Sequence, residues 1–311
     1  MTVLVALLAG SVLLGWHGHR LLQWLADRRL DPTILLTGWV LSTLGLVTSL
    51  LATTSLVALP MDRHHSSALG LARDCWTALS SGSLPGGAES IAALGVASTA
   101  FVVARVSYAL HLRLRVRRRA APHIKQLRLL AGGRSADDPL WIDDARPIAL
   151  SIGGRSGLIL MSQALRDHLP PAAVLATLEH ERAHLRGRHH LLLALIDTLA
   201  AALPWFPLLR SAPEAARDLV ELAADGSAAR RCGTPAVCEA LSRVTGHSVP
   251  LGALAMAGRL TEARLQRLAT GTRGGSGFGR LAGCSAVATG ALLLPTTAAL
   301  LAVSAVQCAF T

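Results

Sequence analysis

The sequence is short of charged residues. Only 16% of its 311 residues are Asp, Glu, Lys or Arg, whereas 51% are hydrophobic and the mean hydropathy is +0.45. Soluble globular domains carry about 25% charged residues, so an ordinary soluble domain is excluded. The composition indicates a membrane protein.

Cysteines are few and scattered. The five are Cys75, Cys232, Cys238, Cys284 and Cys308, and the last two lie within an apolar stretch. This spacing matches neither a disulfide framework nor a cluster of thiolate metal ligands.

The net charge of +11 lacks the features that accompany nucleic-acid binding. Much of the charge lies in one basic run, which comprises Arg113, Arg115, Arg117, Arg118, Arg119, Lys125 and Arg128. No aromatic residue interrupts this run and no recognition motif lies beside it, so we expect no nucleic-acid partner. Basic residues that follow an apolar stretch are instead typical of the cytoplasmic face of a lipid bilayer.

No lysine or arginine precedes the N-terminal apolar run, and no convincing small-residue cleavage site follows it. We therefore interpret residues 2–25 as a retained helix and not as a signal peptide. Residues 33–59, 91–110 and 281–310 are each long enough to cross a hydrocarbon core, which takes roughly 20 apolar residues. The sequence predicts about four transmembrane helices.

Basic residues also predict the orientation of these helices. The first loop carries Arg20, Arg28 and Arg29, whereas the second loop balances its two arginines with acidic residues. By the positive-inside rule, the first loop and the basic run lie in the cytoplasm. We expect a multi-pass protein of the cell membrane, with N-terminal membrane helices within 1–110, a cytoplasmic domain at 111–280 and a final membrane helix at 281–310.

The region 111–280 has the pattern of a small α+β domain. Two short apolar runs, 148–152 and 158–161, flank a glycine-rich turn and predict a β-hairpin. The second run is either a core strand or a strand that pairs with a substrate backbone. A helix is predicted to begin at Pro170 and Pro171, because proline is tolerated in a first helical turn.

This helix contains an H-E-x-x-H motif made of His180, Glu181 and His184. Histidines at i and i+4 project from one face of a helix, where both can bind one ion at about 2.0 to 2.1 Å. Glu181 can hold and deprotonate a water molecule at the metal. A solvated helix with an i, i+4 histidine pair is the alternative, and the context favours a zinc site.

A zinc site of this kind needs a third protein ligand. One candidate is His190, because residues 180–190 read H-E-x-x-H-x-x-G-x-x-H, the pattern of metzincin peptidases. However, the chain continues into the apolar residues 191–196, and Met256 is the only downstream methionine for a methionine turn. His189 and His190 can instead belong to a basic cluster near lipid headgroups.

The other candidate is Glu221, which forms an E-x-x-x-D pattern with Asp225. Residues 211–214 read as a capping box that begins their helix. The two carboxylates share one helix face, so Glu221 can bind zinc while Asp225 hydrogen-bonds a ligand histidine.

The two motifs together, in a chain with several apolar spans, resemble the membrane-bound gluzincin metallopeptidases. The resemblance is greatest to the BlaR/MecR antirepressor type and next to the heat-shock and CAAX prenyl protease type, and it extends from about residue 147 to residue 225. It implies a zincin-like fold in which zinc is bound by His180, His184 and Glu221, with Glu181 as general base and Asp225 as an orienting residue.

The sequence departs from the antirepressors in three places. It has Ala224 where they often have cysteine, and a double histidine where they often have aspartate. No penicillin-sensing domain follows the last span, so antibiotic sensing is not expected.

Residues 191–209 bear on whether Glu221 can reach the motif. They resemble a membrane span, and a full crossing would put Glu221 on the opposite side from His180. Pro204 and Pro207 leave a clean helix of about 20 Å, which is too short to cross. We therefore predict a re-entrant or interfacial segment.

These patterns predict a mainly α membrane protein that acts as a zinc metalloendopeptidase at the cytoplasmic membrane face. Its substrate would be a protein or peptide, for example a repressor or a membrane protein. His247, Arg230 and Arg231 are candidate donors to the tetrahedral intermediate, and an amphipathic helix over 260–268 is expected to take no part in chemistry.

Two functions of other classes are weaker alternatives. A receptor or scaffold with an inactive metal site is disfavoured by the intact Glu181. A small transporter is disfavoured because the strongest spans are nearly bare of charge.

Overall fold

The computed structural model describes residues 2–28, 30–58, 87–130, 138–154, 157–245 and 254–270. Within them, the chain is mainly helical, with one small sheet, as predicted. The elements are α1 (Thr2–Asp27), α2 (Pro32–Ala58), α3 (Gly87–Leu130), β1 (Leu140–Ile142), β2 (Ala149–Ile152), β3 (Leu158–Ser162), α4 (Ala164–His168), α5 (Pro171–Arg186), α6 (His189–Ala202), α7 (Pro207–Cys232), α8 (Thr234–Thr245) and α9 (Leu254–Thr270).

Two described helical stretches are long and apolar enough to cross a membrane, by length and composition. They are Pro32–Ser55 in α2 and Ala93–Arg119 in α3. They overlap the predicted spans at 33–59 and 91–110, and the second extends past residue 110 into the basic run. The prediction of four spans is not supported. The apolar run of α1 stops at Trp16, short of the roughly 20 residues required, and the predicted span at 281–310 lies outside the described residues.

A helical bundle forms the larger apolar core. Helices α1, α2, α3 and α6 pack together with the first half of α7. The largest of its fully buried side chains include Trp39, Leu46, Ile196, Leu208 and Leu209. Because the first half of α7 is buried in the bundle, its second half is held rigidly where it meets α5.

The three-stranded sheet has the order β1-β3-β2. The predicted hairpin is confirmed, because β2 pairs antiparallel with β3 from Ile152↔Leu158 to Ala149↔Met161. Strand β1 pairs with β3 in parallel on the other side. Both edges of β3 are therefore occupied, and the idea that residues 158–161 pair with a substrate is wrong. The outer edge of β2 pairs with no described strand.

Prolines lie at the start of α5, just after the end of α6 and at the start of α7. Helix α5 has Pro171 in its first turn, as predicted. Helix α6 ends at Ala202 and α7 begins at Pro207, so the chain reverses within four residues and the short helix predicted from the prolines is confirmed.

The predicted helix start at residues 211–214 is wrong. Helix α7 already begins at Pro207, and Pro213 lies inside it. The Ser211 hydroxyl donates to the Pro207 carbonyl oxygen at 2.7 Å, one turn earlier in the same helix. It therefore does not act as an N-cap. Pro207 suits the first helical position, because the N–H group that proline lacks would have no partner within the helix there.

Candidate metal centre

The two histidines of the motif lie one turn apart on α5. Their Nε2 atoms are 3.1 Å from each other, and both side chains are mostly buried, at 14% exposed for His180 and 16% for His184. When both rings are deprotonated, two imidazole nitrogens that face each other at this distance can donate lone pairs to one shared point. That is the geometry of a metal site with two histidine ligands.

Glu221 closes the third side of this arrangement. Its Oε2 lies 3.4 Å from Nε2 of His180, and its Oε1 lies 3.4 Å from Nε2 of His184. Tetrahedral ligands at about 2.0 to 2.1 Å from zinc are separated by about 3.3 to 3.4 Å. The three side chains therefore form a group that can hold a metal ion, and their nitrogen and oxygen donors fit zinc.

Each of these histidines has a partner for its other ring nitrogen. Nδ1 of His180 lies 2.9 Å from Oδ1 of Asp225, which is 2% exposed. Nδ1 of His184 lies 3.0 Å from Nδ1 of His189, a buried residue at the start of α6. A partner on Nδ1 keeps Nε2 directed at the metal position and orients the ring.

Arg264 joins the centre from α9. Its Nε and Nη2 donate to Oδ2 and Oδ1 of Asp225 at 2.6 and 2.7 Å, and its Nη1 lies 3.3 Å from Oε2 of Glu221. Such a forked arrangement fixes both carboxylates in one orientation. The helix predicted over 260–268 is confirmed, and it contributes Arg264 to the surroundings of the centre, a contact that the sequence did not predict.

Glu181 faces the same centre from α5. It lines the cavities on both sides of the metal group, and Ser151 of β2 donates hydrogen bonds to it from its backbone and its side chain. Burial raises the pKa of Glu181, and the charge of His180 and the Ser151 hydrogen bonds oppose this rise. The net increase favours a carboxylate that takes up a proton readily.

The electrostatics of the centre favour a cation. Burial lowers the pKa of His180, but hydrogen bonds to Asp225 and Glu221 outweigh it, and the pKa rises to about 9. Burial and the neighbouring His180 lower the pKa of His184 to about 4. The carboxylates of Glu181, Glu221 and Asp225 outnumber the two cationic groups that contact them, Arg264 and His180, so the centre as a whole attracts positive charge.

His190 lies outside this group. It packs against Gly153 in the loop after β2, where a Cβ atom would overlap its ring. Among the described residues, the group able to hold a metal consists of His180, His184 and Glu221, without His190. The short turn between α5 and α6 directs His189 inward and His190 toward the sheet.

The two described candidate donors to the tetrahedral intermediate, Arg230 and Arg231, do not line the cavities at the centre. Arg231 lies 3.4 Å from Glu179 through its Nε and does not line the centre, and Arg230 is exposed. His247 lies outside the described residues.

Two cavities meet at the centre. One, of about 330 Å³, is lined on its far wall by apolar side chains of α4, α5 and α8, namely Leu165, Ala176, Val237, Ala240, Leu241 and Val244. The other, of about 410 Å³, is lined by His180, His184, His189 and His190. Ala149 lines the first cavity and Ser151 the second, so β2 runs along both. The arrangement forms a cleft with the metal group at its middle.

Three residues of the site were not identified from the sequence: Arg264, His189 and Ser151. An arginine on an amphipathic helix and a serine in a strand carry no local pattern that indicates a partner. His189 had a detectable signal, since it follows the motif by a fixed short turn.

Comparison with known proteins gives no match: no family model, curated protein or solved structure is similar to this chain.

Proposed function

We propose that this chain is a zinc-dependent metallopeptidase that cleaves a protein or peptide at the cytoplasmic surface of a membrane. The observation that carries the proposal is the convergence of His180, His184 and Glu221, with separations of 3.1 to 3.4 Å, beside the partly buried carboxylate of Glu181. A metal site with a general base next to it is the arrangement that hydrolysis of an amide bond requires.

His180, His184 and Glu221 would hold the zinc ion, and Asp225 and His189 would keep the two imidazoles in place. When bound, zinc supplies a Lewis acid that polarises a carbonyl oxygen and lowers the pKa of water. Because Arg264 binds both Asp225 and Glu221, it holds a ligand and a supporting carboxylate in one orientation.

Glu181 acts as the general base in this proposal. Its carboxylate accepts a proton from the attacking water and passes it to the departing amine. Ser151 keeps the carboxylate turned toward the cleft. The raised pKa of Glu181 moves it toward neutrality, where proton transfer in both directions is efficient.

The cleft supports a peptide substrate. The outer edge of β2 pairs with no described strand and runs past the metal group, so an extended chain can pair with it there. The apolar cavity of about 330 Å³ is suited to a large apolar side chain next to the cleaved bond.

The membrane placement rests on the reversal between α6 and α7. Arg105 donates to the carbonyl oxygens of Ala202 at 3.0 Å and Ala201 at 3.3 Å, which caps the end of α6. Arg105 is near the middle of the candidate span Ala93–Arg119. If α3 crosses the bilayer, α6 enters it only to mid-depth and α7 returns, which keeps Glu221 on the side of His180.

Replacement of the general base tests this function. Glu181→Gln should retain zinc and lose proteolysis by about 10²- to 10⁴-fold, because the amide cannot accept the proton. The measurement compares peptide termini in cells that produce active or variant protein, together with zinc content after purification. Glu262→Gln, an exposed change on α9, is the matched control.

Proteolysis that persists in Glu181→Gln would exclude this mechanism. Equal peptide termini in all samples, with zinc retained, would favour a receptor or scaffold that keeps a metal site without turnover.

A further inference from the structure

A second site lies away from the metal centre, in a groove of about 580 Å³ between α3 and α6. The two helices run antiparallel, since Arg105 lies at the end of α6 while Arg113 reaches Asp197 in its middle. The groove is lined chiefly by Val106, Leu110, Arg113, Arg117, Leu195 and Leu199.

The groove is apolar along its length and basic at one end. Val106 and Leu199 lie toward the Arg105 end, whereas the exposed Arg117 lies at the other. A ligand that matches this lining has a long apolar part and one anionic group.

Positive charge at the basic end is only partly balanced. Arg113 and Arg217 both bind Asp197, each at 2.8 Å, so one carboxylate serves two guanidinium groups. With Arg117 added, the end of the groove has a net positive charge. An anion is the expected complement.

The dimensions match one leaflet of a bilayer. From Val106 to Arg117 the helix rises about 16 Å, at about 1.5 Å per residue, which is about half of a hydrocarbon core of about 30 Å. Arg117 lies two residues before the end of the candidate span Ala93–Arg119. The basic end therefore coincides with the level at which headgroups would lie.

We propose that this groove binds one anionic phospholipid, with an acyl chain between α3 and α6 and the phosphate on Arg117. The proposal rests on the membrane placement given under Proposed function and is independent of peptidase activity. A bound lipid would stabilise α6, whose first residue, His189, supports the metal ligand His184.

Native mass spectrometry of the full chain in non-ionic detergent tests the proposal. The probes are palmitoyl-oleoyl phosphatidylglycerol and phosphatidylcholine with the same acyl chains. One phosphatidylglycerol should bind in preference, and Arg117→Gln should weaken its binding about five-fold, since one basic residue near a headgroup contributes about that factor. Arg115→Gln, the same change on the opposite face of α3, should have no effect.

Three results would overturn the proposal: equal binding of phosphatidylcholine, equal weakening by Arg115→Gln and Arg117→Gln, or displacement of the lipid by glycerol 3-phosphate alone. The first would indicate an unselective apolar groove, the second a diffuse basic surface and the third a phosphate site. Zinc content measured on the same samples separates these results from a failure of the proposed metal centre.

Discussion

At the scale of single residues, the centre is distinguished by the number of partners each side chain has. His180 is bound on both ring nitrogens, and Asp225 contacts both His180 and Arg264. The spacing within each motif predicted His180 with His184, and Glu221 with Asp225, on one helix face, and the resemblance to the gluzincins implied that the two pairs are neighbours. Arg264 could not be predicted, because its contact depends on how α9 packs against α7.

Removal of Arg264 should damage the centre without removal of any ligand. Arg264→Met leaves the buried Asp225 carboxylate with His180 as its remaining partner and removes the contact to the more exposed Glu221, so we expect a loss of about 1 to 3 kcal/mol in unfolding free energy and a lower zinc content. Arg264→Lys keeps the positive charge but cannot donate two parallel hydrogen bonds to Asp225. Its unfolding free energy and zinc content should lie between those of Arg264→Met and the native chain. Thermal unfolding and zinc analysis measure both.

Arg243→Met is the control for this change. Arg243 forms an exposed i, i+4 pair with Glu239 and donates to the His168 carbonyl oxygen at 3.2 Å, so its replacement should cost about 1 kcal/mol and leave the zinc content unchanged. Native stability and zinc content in Arg264→Met would contradict the role assigned to Arg264.

At the scale of elements, prolines and glycines made the helices that carry the site predictable. The hairpin β2–β3, the start of α5 and the end of α6 all follow local rules that operate within a few residues. The start of α7 was predicted wrongly, and the sequence left open whether β3 is a core strand, because both depend on the neighbours that tertiary packing supplies. A capping box is uninformative where a proline upstream begins the helix first.

The end of α6 provides a test at this scale. Arg105→Met removes the donors to the Ala201 and Ala202 carbonyl groups, which lie far from water if α3 is embedded. We expect a loss of about 1 to 2 kcal/mol in stability, because a cation at a partly buried helix C-terminus contributes up to about that amount. Thermal unfolding of the purified protein in detergent measures it.

Arg115→Met, an exposed change on the same helix, should leave the unfolding temperature unaltered. Equal effects of the two substitutions would mean that Arg105 does not cap α6.

At the scale of the whole molecule, a helical bundle holds one half of α7 and leaves the other half to meet α5. The lengths of the apolar stretches predicted a mainly helical chain, and charge distribution predicted an orientation for it. The number of spans could not be predicted reliably, since an apolar run as short as that of α1 fits a buried bundle helix as well as a marginal membrane helix.

The predicted orientation can be tested with reporter fusions. A reporter in the loop near Ser66 should lie outside the cytoplasm, and one near Arg119 should lie inside, because the basic run in the C-terminal half of α3 is predicted to mark the cytoplasmic face. Alkaline phosphatase and a cytoplasmic fluorescent protein give opposite signals at the two positions if this orientation is correct. Matching signals at both positions would contradict it.

The central claim is that His180, His184 and Glu221 bind one zinc ion. Its most direct test is the zinc content of purified Glu221→Ala and His190→Ala, measured by mass spectrometry of the metal against the native chain. We predict that Glu221→Ala loses most of its zinc while His190→Ala keeps about one ion per chain. Zinc retained in Glu221→Ala and lost in His190→Ala would contradict the account.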